Sequence, residues 1–297
     1  MSYSICNVLA ETGIENISRW LSSDLEEKDL TNRIANKMIR PTTIPQTLEE
    51  LIIEQSIARE ALRLSFVQHK EFAVSLKGIQ QERTISDTFD QTMSGETLVN
   101  MNKLDMIVGS GGVLSHAPRR EQAYRMLVDA FLPEGITQIA VDSIFMMPQL
   151  GVMANIDIKE LAEEARIAAL EVFEKDCLIR LGTCIAPVGK FQGKNGILKA
   201  KLEFNGGEKK EISLDDGQLV LIKAGYQKVD ITLTPSKGVD VGAGSGEIIQ
   251  TKIFGGQVGI VFDCRGRPLK ISDQASKRIL DLKNWSDALK EYPTLEA

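Results

Sequence analysis

Hydrophobic positions in the first half of the chain recur at helical spacing. Between residues 48 and 67, Leu48, Leu51, Ile52, Leu62 and Phe66 share one stripe, with Glu49, Glu50, Glu54, Arg59 and Glu60 among the more polar positions. The pattern predicts a core-facing amphipathic helix. Pro41 and Pro45 forbid a continuous helix through residues 40–45, so an earlier helical segment is separate, with Ile14, Ile17, Trp20 and Leu21 as its buried side. Residues 104–108 form a short apolar strand candidate that runs into Gly109-Ser110-Gly111-Gly112, and residues 120–131 return to helical spacing through Ala123, Leu127, Ala130 and Phe131. A second strand candidate, 138–142, precedes the apolar stretch 143–154 with its Pro148 and Gly151. Units of strand, turn and helix build a covered sheet, whose ligands sit at the carboxyl ends of the strands.

Residues 158–178 read as a helix through Ala165, Ala168, Ala169 and Val172. Beyond Ile179 the pattern changes to short β-rich runs cut by glycine, at 196–204, 209–214, 218–222, 229–233, 247–254 and 258–262. Alternation is clear in residues 199–204, which predicts one wet and one buried face. A helix near residues 272–292 closes the chain. The expected organisation is an α/β lobe over residues 1–154, a connecting helix over 155–178, and a separate antiparallel β domain with its closing helix over 179–297. A length of 297 residues suits two cores better than one.

Composition narrows the chemistry. A net charge of -6 argues against a nucleic-acid partner, because phosphate neutralisation needs clustered Lys and Arg. No stretch approaches the roughly 18 apolar residues of a membrane span, so no membrane association is expected and the reading is cytoplasmic. Cys6, Cys177, Cys184 and Cys264 lack the paired spacing of a zinc site, and His69 and His116 are the only histidines, which leaves no metal centre to assign.

Glycines directly after a strand let a backbone approach a ligand closely, so Gly109, Ser110, Gly111 and Gly112 are the candidate binding residues. The same spacing is equally compatible with a tight turn that binds nothing. Residues 239–246, Val-Asp-Val-Gly-Ala-Gly-Ser-Gly, match the glycine loop of S-adenosylmethionine methyltransferases. That loop must open into a helix, and residues 248–254 are β-like. Asp263-Cys264-Arg265-Gly266-Arg267-Pro268 is read as a strand-end turn with exposed arginines rather than a reactive thiol. His116 is read as structural, and Asp215-Asp216-Gly217 as a hairpin turn.

Residues 107–114 resemble the adenosine motif of the actin, sugar kinase and Hsp70 superfamily. More closely, the chain resembles the glutamate mutase L family, called MutL and unrelated to the mismatch-repair protein of that name. The resemblance is carried by residues 107–116, 141–144 with 151–154, 238–244, 255–259 and 263–269. It implies the second lobe of an actin-like ATPase, incomplete, followed by a C-terminal antiparallel β domain. It also implies ATP as ligand, with Mg bound in the full-length protein, and an adenosylcobalamin-dependent mutase or aminomutase as partner. The mutase would hold the cobalamin. The family's phosphate segments, including an Asp-Gly-Thr-Thr type hairpin on an N-terminal ATPase lobe, have no counterpart in these residues. No catalytic residue is assigned, and the expectation is a chain without ATP hydrolysis of its own. A non-catalytic interaction module is the alternative.

Overall fold

Helices come first in this computed structural model, which describes residues 4–73, 97–156, 162–191 and 193–293. They are α1 (Ile5–Thr12), α2 (Ile14–Ser18), α3 (Glu27–Ile39) and α4 (Leu48–Phe72). Their starts are dictated locally. The Ser4 hydroxyl accepts from Asn7 N–H, and Thr47 and Glu50 form a reciprocal capping box at the head of α4. Pro41 and Pro45 fall between α3 and α4. Val8, Ile17, Leu21, Leu30, Ile34, Ile53 and Ile57 meet in a small core of their own.

The inward face of α4 departs from its apolar stripe. Leu51, Ile52, Leu62 and Phe66 are only partly buried, whereas Arg59 and Glu60 are 4% and 0% exposed. These charges turn inward because distant segments supply their partners. Glu60 accepts from Thr12 Oγ1 at 3.0 Å, Trp20 Nε1 at 2.7 Å, Arg19 at 2.6 Å and Arg63 at 2.8 Å. One carboxylate thereby ties α1 and the end of α2 to α4. Burial raises its pKa, but the bonds from Arg63 and Trp20 and the charge of Arg19 outweigh that and hold it below its usual value.

Next come β1 (Met106–Gly109), α5 (Gly112–Ser115), α6 (Arg120–Phe131), β2 (Gly135–Asp142), α7 (Met147–Ala154) and α8 (Ala162–Val172). A π-helical turn at Phe173–Cys177 leads into β3 (Leu178–Ala186). The connecting helix expected to reach residue 178 is α-helical to Val172 and π-helical to Cys177, and residues 157–161 of it lie outside the described residues. Leu178 and Ile179 instead open a strand that pairs antiparallel with β2. The remaining elements are β4 (Val188–Gly189), β5 (Leu198–Glu203), β6 (Lys209–Leu214), β7 (Leu219–Ile222), β8 (Lys228–Pro235), β9 (Val239–Asp240), β10 (Ile249–Phe254), β11 (Gly259–Asp263) and α9 (Ala275–Leu289).

A five-stranded mixed sheet runs in the order β1-β2-β3-β11-β7, with β1 parallel to β2 and β3 parallel to β11. The expected boundary at Ile179 is therefore corrected. β3, β11 and β7 complete the same sheet as β1, so residues 179–297 are not a separate domain. β10-β8-β5-β6 forms a second, antiparallel sheet, with the alternating burial expected of β5, and β4 and β9 pair as a two-stranded antiparallel ribbon. The physical reason is two-sided burial. Ile107, Ile139, Leu181 and Val261 pack under Tyr124 and Leu127 of α6 and Trp285 and Leu289 of α9. Ile185, Ile222, Ile260 and Phe262 pack the opposite face against Leu202, Val229, Ile231 and Leu233. A strand such as β11, buried throughout, reads as an apolar run without alternation and can join either sheet. Closeness of β3 and β11 also requires glycine: a Cβ on Gly182 would stand 1.9 Å from the Gly259 carbonyl oxygen.

Charged side chains bind the helical layer to the sheet. Arg59 of α4 contacts Asp129 of α6 at 3.1 Å and Glu291, beyond α9, at 2.8 Å. Arg125 reaches the same two carboxylates at 2.7 and 3.2 Å. Arg265 forks onto Asp263 through Nε at 2.7 Å and lies 2.8 Å from Asp129, in charge contact without hydrogen-bond alignment. Arg267 closes the chain on Asp263 at 2.8 Å. The arginines at 265 and 267, expected in solvent, are thus buried, because two carboxylates and the ring of Trp285, 4.9 Å from the Arg265 guanidinium, receive them. Burial pushes the Asp263 pKa up, and the charges of Arg265 and Arg267 outweigh it and hold the carboxyl well below its ordinary range.

A depressed carboxyl pKa contributes stability that is complete above the unfolded-state pKa and is lost as pH falls through the folded one. Asp263, Asp129 and Glu60 all shift this way. Thermal unfolding is therefore expected to show no loss from these groups between pH 7 and about pH 5, and a steep loss below about pH 4. Asp263→Asn should cost about 3 kcal/mol or more at pH 7 by removing the buried charge that Arg265 and Arg267 share. It should also flatten the acid limb of the melting-temperature profile.

Candidate functional site

β1 is short and parallel to β2, so its carboxyl end opens beside that of β2. The chain leaves it at Gly109, passes through Ser110 and Gly111, and starts α5 at Gly112. Gly111 sits at φ 114°, a conformation only glycine adopts without strain. Its carbonyl receives the N–H groups of Leu114 and Ser115 at 3.0 and 2.9 Å. Below, the Ser115 hydroxyl donates to the Asp142 carbonyl at 2.6 Å, and Arg120 donates to the Ser115 carbonyl at 2.7 Å. The turn is thereby fastened to the end of β2 and the start of α6.

The four candidate residues divide into two roles. A Cβ on Gly109 would meet Leu114 Cδ1 at 2.9 Å and the Leu127 methyls at 3.0 Å, so that glycine serves packing. A Cβ on Gly111 or Gly112 would meet nothing within 4 Å. Ser110, Gly111 and Gly112 line a cavity of about 400 Å³, and Gly109 does not. Facing them across the cavity are Ile57, Ala58, Ala61 and Leu62 of α4 and Ile5 and Val8 of α1. Lys37, Pro41 and Glu54, with Ser4, Val113 and Leu114, complete its wall. Lys37, Glu54 and Ile57 also line a neighbouring cavity of about 280 Å³, which continues past Arg33 and Arg40.

The polar groups of the wall are few. Lys37 Nζ lies 3.3 Å from Glu54 Oε1 and donates to the Thr43 carbonyl. Glu54 Oε2 is shielded from solvent and has no hydrogen-bond partner. Periodicity placed Glu54 among the polar positions of α4 but could not show that it faces a cavity. Among the described residues no group of three or more His, Cys, Asp or Glu is arranged to hold a metal ion. The rest of the wall is mostly apolar, with Ser110, Gly111 and Gly112 along one part of it.

The other motifs have structural explanations. Asp240 Oδ1 accepts from Gly242 N–H at 2.7 Å and Gly244 N–H at 2.9 Å, in a loop joining β9 to β10 with no helix after it. That arrangement lacks the helix a methyltransferase glycine loop needs. Asp215 and Asp216 accept from Gly196 and Gly193 N–H, each at 2.6 Å. Their turn is not the expected hairpin, because β6 and β7 lie in different sheets and the chain crosses between them. His116 packs edge-on to Phe145, with ring centroids 5.5 Å apart. Cys264 is buried, and burial, followed by the charge of Asp263, pushes its thiol up, away from thiolate chemistry.

A family model described as MutL protein matches residues 1–175. No curated protein and no solved structure matches the chain. The matched span contains every residue named in the cavity wall.

The contrast among the glycines is measurable as stability. Gly109→Ala should cost about 1–3 kcal/mol by overpacking Leu114 and Leu127. Gly112→Ala should stay within about 0.5 kcal/mol of the parent, since its Cβ enters open space. Urea unfolding of the two variants checks both, and equal losses would contradict the geometry.

Proposed function

The chain belongs to the MutL family, that of the glutamate mutase L proteins, and on that premise we propose that it is a nucleotide-binding accessory protein of an adenosylcobalamin-dependent mutase or aminomutase. The observation that carries the nucleotide part is the open space over Gly111 and Gly112 facing the apolar wall of α4. Adenosine fits this slot. Its base would lie between Ala58, Ala61 and Leu62 on one side and the glycine turn on the other, where a side chain would take up the same space. In this reading β1, the turn and α6 belong to the second lobe of an actin-like ATPase.

Together with an N-terminal ATPase lobe carrying the phosphate segments, ATP would supply phosphoryl-transfer free energy for maintaining or reactivating the mutase, and the cobalamin stays with the mutase. The residues of this chain bind and orient the adenosine end. Ser110 and the turn backbone approach it closely, α4 excludes water from one face, and Lys37 and Glu54 stand at the rim. A second reading, a docking module without nucleotide, draws on the apolar side chains that α7, α8 and the loop before them expose. Ile144, Val152, Ile167 and Leu170 are each 46% exposed or more.

Calorimetric titration of ATP into the chain separates the two readings. Binding is expected, and Gly112→Val should weaken it at least tenfold while leaving the melting temperature within a few degrees of the parent, because the branched side chain enters the slot and not the core. A folded chain with no measurable affinity for ATP would favour the docking module.

A further inference from the structure

β10 is an edge of its sheet: it pairs with β8 on one side and, among the described residues, with no strand on the other. The ladder fixes which of its backbone groups are already used. Gly255 N–H donates to the Gln227 carbonyl at 2.9 Å, in the register that sets Ile253 on Val229 and Thr251 on Ile231. Hydrogen bonding alternates along an antiparallel strand, so the N–H and C=O groups of Gln250 and Lys252 point away from β8. The free edge ends at Phe254, whose carbonyl accepts from the Thr183 hydroxyl at 2.8 Å. Side chains along this edge are left uncovered. Thr251 stands in the row of Ile249 and Ile253, which packs on the core with Ile231, yet it is exposed, and Ile249 is only partly buried. Ile248 precedes the strand and is 58% exposed, and Tyr226, edge-on to Phe254 at the other end, is 62% exposed. The opposite edge of the sheet, β6, carries Lys209, Lys210 and Glu211 in succession, all exposed, a pattern that blunts an edge. β10 carries only Lys252, and Asp230 holds its ammonium at 3.3 Å.

We propose that β10 is a dimerisation edge, on which a second copy of this chain lays its own β10 antiparallel about a two-fold axis through Thr251. The strand fits itself in that register. Gln250 falls opposite Lys252 of the second copy, so the outward groups of both residues exchange hydrogen bonds. Thr251 meets its own counterpart, Ile249 falls opposite Ile253, and Ile248 comes beside Phe254 and Tyr226. No like charges are opposed, and threonine and apolar pairs across a strand junction are favourable. The pairing is isologous, so it uses the edge once, joins two four-stranded sheets into one and stops there. A contact of one short strand lies at the small end of protein interfaces, which sets the expected dissociation constant at about 10–100 µM. The inference draws on no residue of the cavity and does not depend on the nucleotide reading.

Sedimentation equilibrium of the whole chain, from about 1 to 300 µM, is the first test, and the parent is expected to pass from monomer to dimer across that range. Thr251→Lys sets two ammonium groups face to face on the axis. It enters an exposed position, so association should fall about tenfold or more while the melting temperature stays within a few degrees of the parent. Cysteine cross-linking reads the register. In a Cys6→Ser background, which removes the exposed native thiol, Thr251→Cys places two thiols at a non-hydrogen-bonded pair, with Cα atoms about 4.5 Å apart and within disulfide reach. Oxidation by diamide should therefore link it several-fold faster than Gln250→Cys, whose counterpart lies further along the strand. The cysteine pair decides the matter even where Thr251→Lys fails to fold. A parent that stays monomeric through the whole range overturns the inference. So does a dimer that survives in folded Thr251→Lys, or one in which cysteines at 250 and 251 cross-link equally.

Discussion

Burial of Arg59 against Asp129 and Glu291 is the constraint on which the candidate site depends. α4 carries both the anchor, Arg59, and the cavity wall, Ile57 to Leu62. Asp129 carries the connection onward to Arg125 and Arg265, and Asp263 to Arg267 at the end of β11. Desolvating these charges is expensive, and apolar replacements of equal volume need not lower stability. Their effect is geometric. A guanidinium fork donates to its carboxylates in one orientation, so α4 is held at a defined height and rotation over α6 and the sheet. Glu60, one residue on, does the same for α1 and α2.

The mixed sheet supplies the fixed side of the site. Its strands are covered by α6 and α9 on one face and by the antiparallel sheet on the other. Such a floor has little freedom, and the glycine turn inherits that rigidity through Ser115 and Arg120. The cavity is thus formed between a helical wall held by ion pairs and a turn held by a doubly covered sheet. Displacing either element by an ångström changes the width of the slot, so the charge network sets the shape of the cavity as well as packing the core.

Family and geometry meet over the same residues. The span matched by the MutL model, 1–175, includes α1 to α8, the turn and all of β1 and β2, whereas α9 and β5, β6, β8 and β10 lie beyond it. The cavity is therefore part of what the family match covers, and the antiparallel sheet supports that part from behind through Ile185, Ile260 and Phe262. The cavity's wall is mostly apolar, with Lys37 and Glu54 as its charged members.

Local pattern alone was enough for the elements whose cause is local. The helix at Arg120–Phe131, the strand leading to Gly109, the alternation of β5 and the break at Pro41 and Pro45 all follow from periodicity, turn chemistry and proline sterics. The family came from the resemblance carried by motifs such as residues 107–116, and a family model matches residues 1–175. Tertiary structure alone decided which sheet each strand joins, because β3 and β11 are buried on both faces and carry no alternation to declare a side. It also decided the inward turn of Arg59, Glu60, Arg265 and Arg267. A charged residue reads as surface in sequence, and only partners tens or hundreds of positions away, such as Asp129 and Glu291, make its burial affordable. For the same reason Gly109 and Gly112 look alike in the chain: what separates them is Leu127 packed against one and open space over the other.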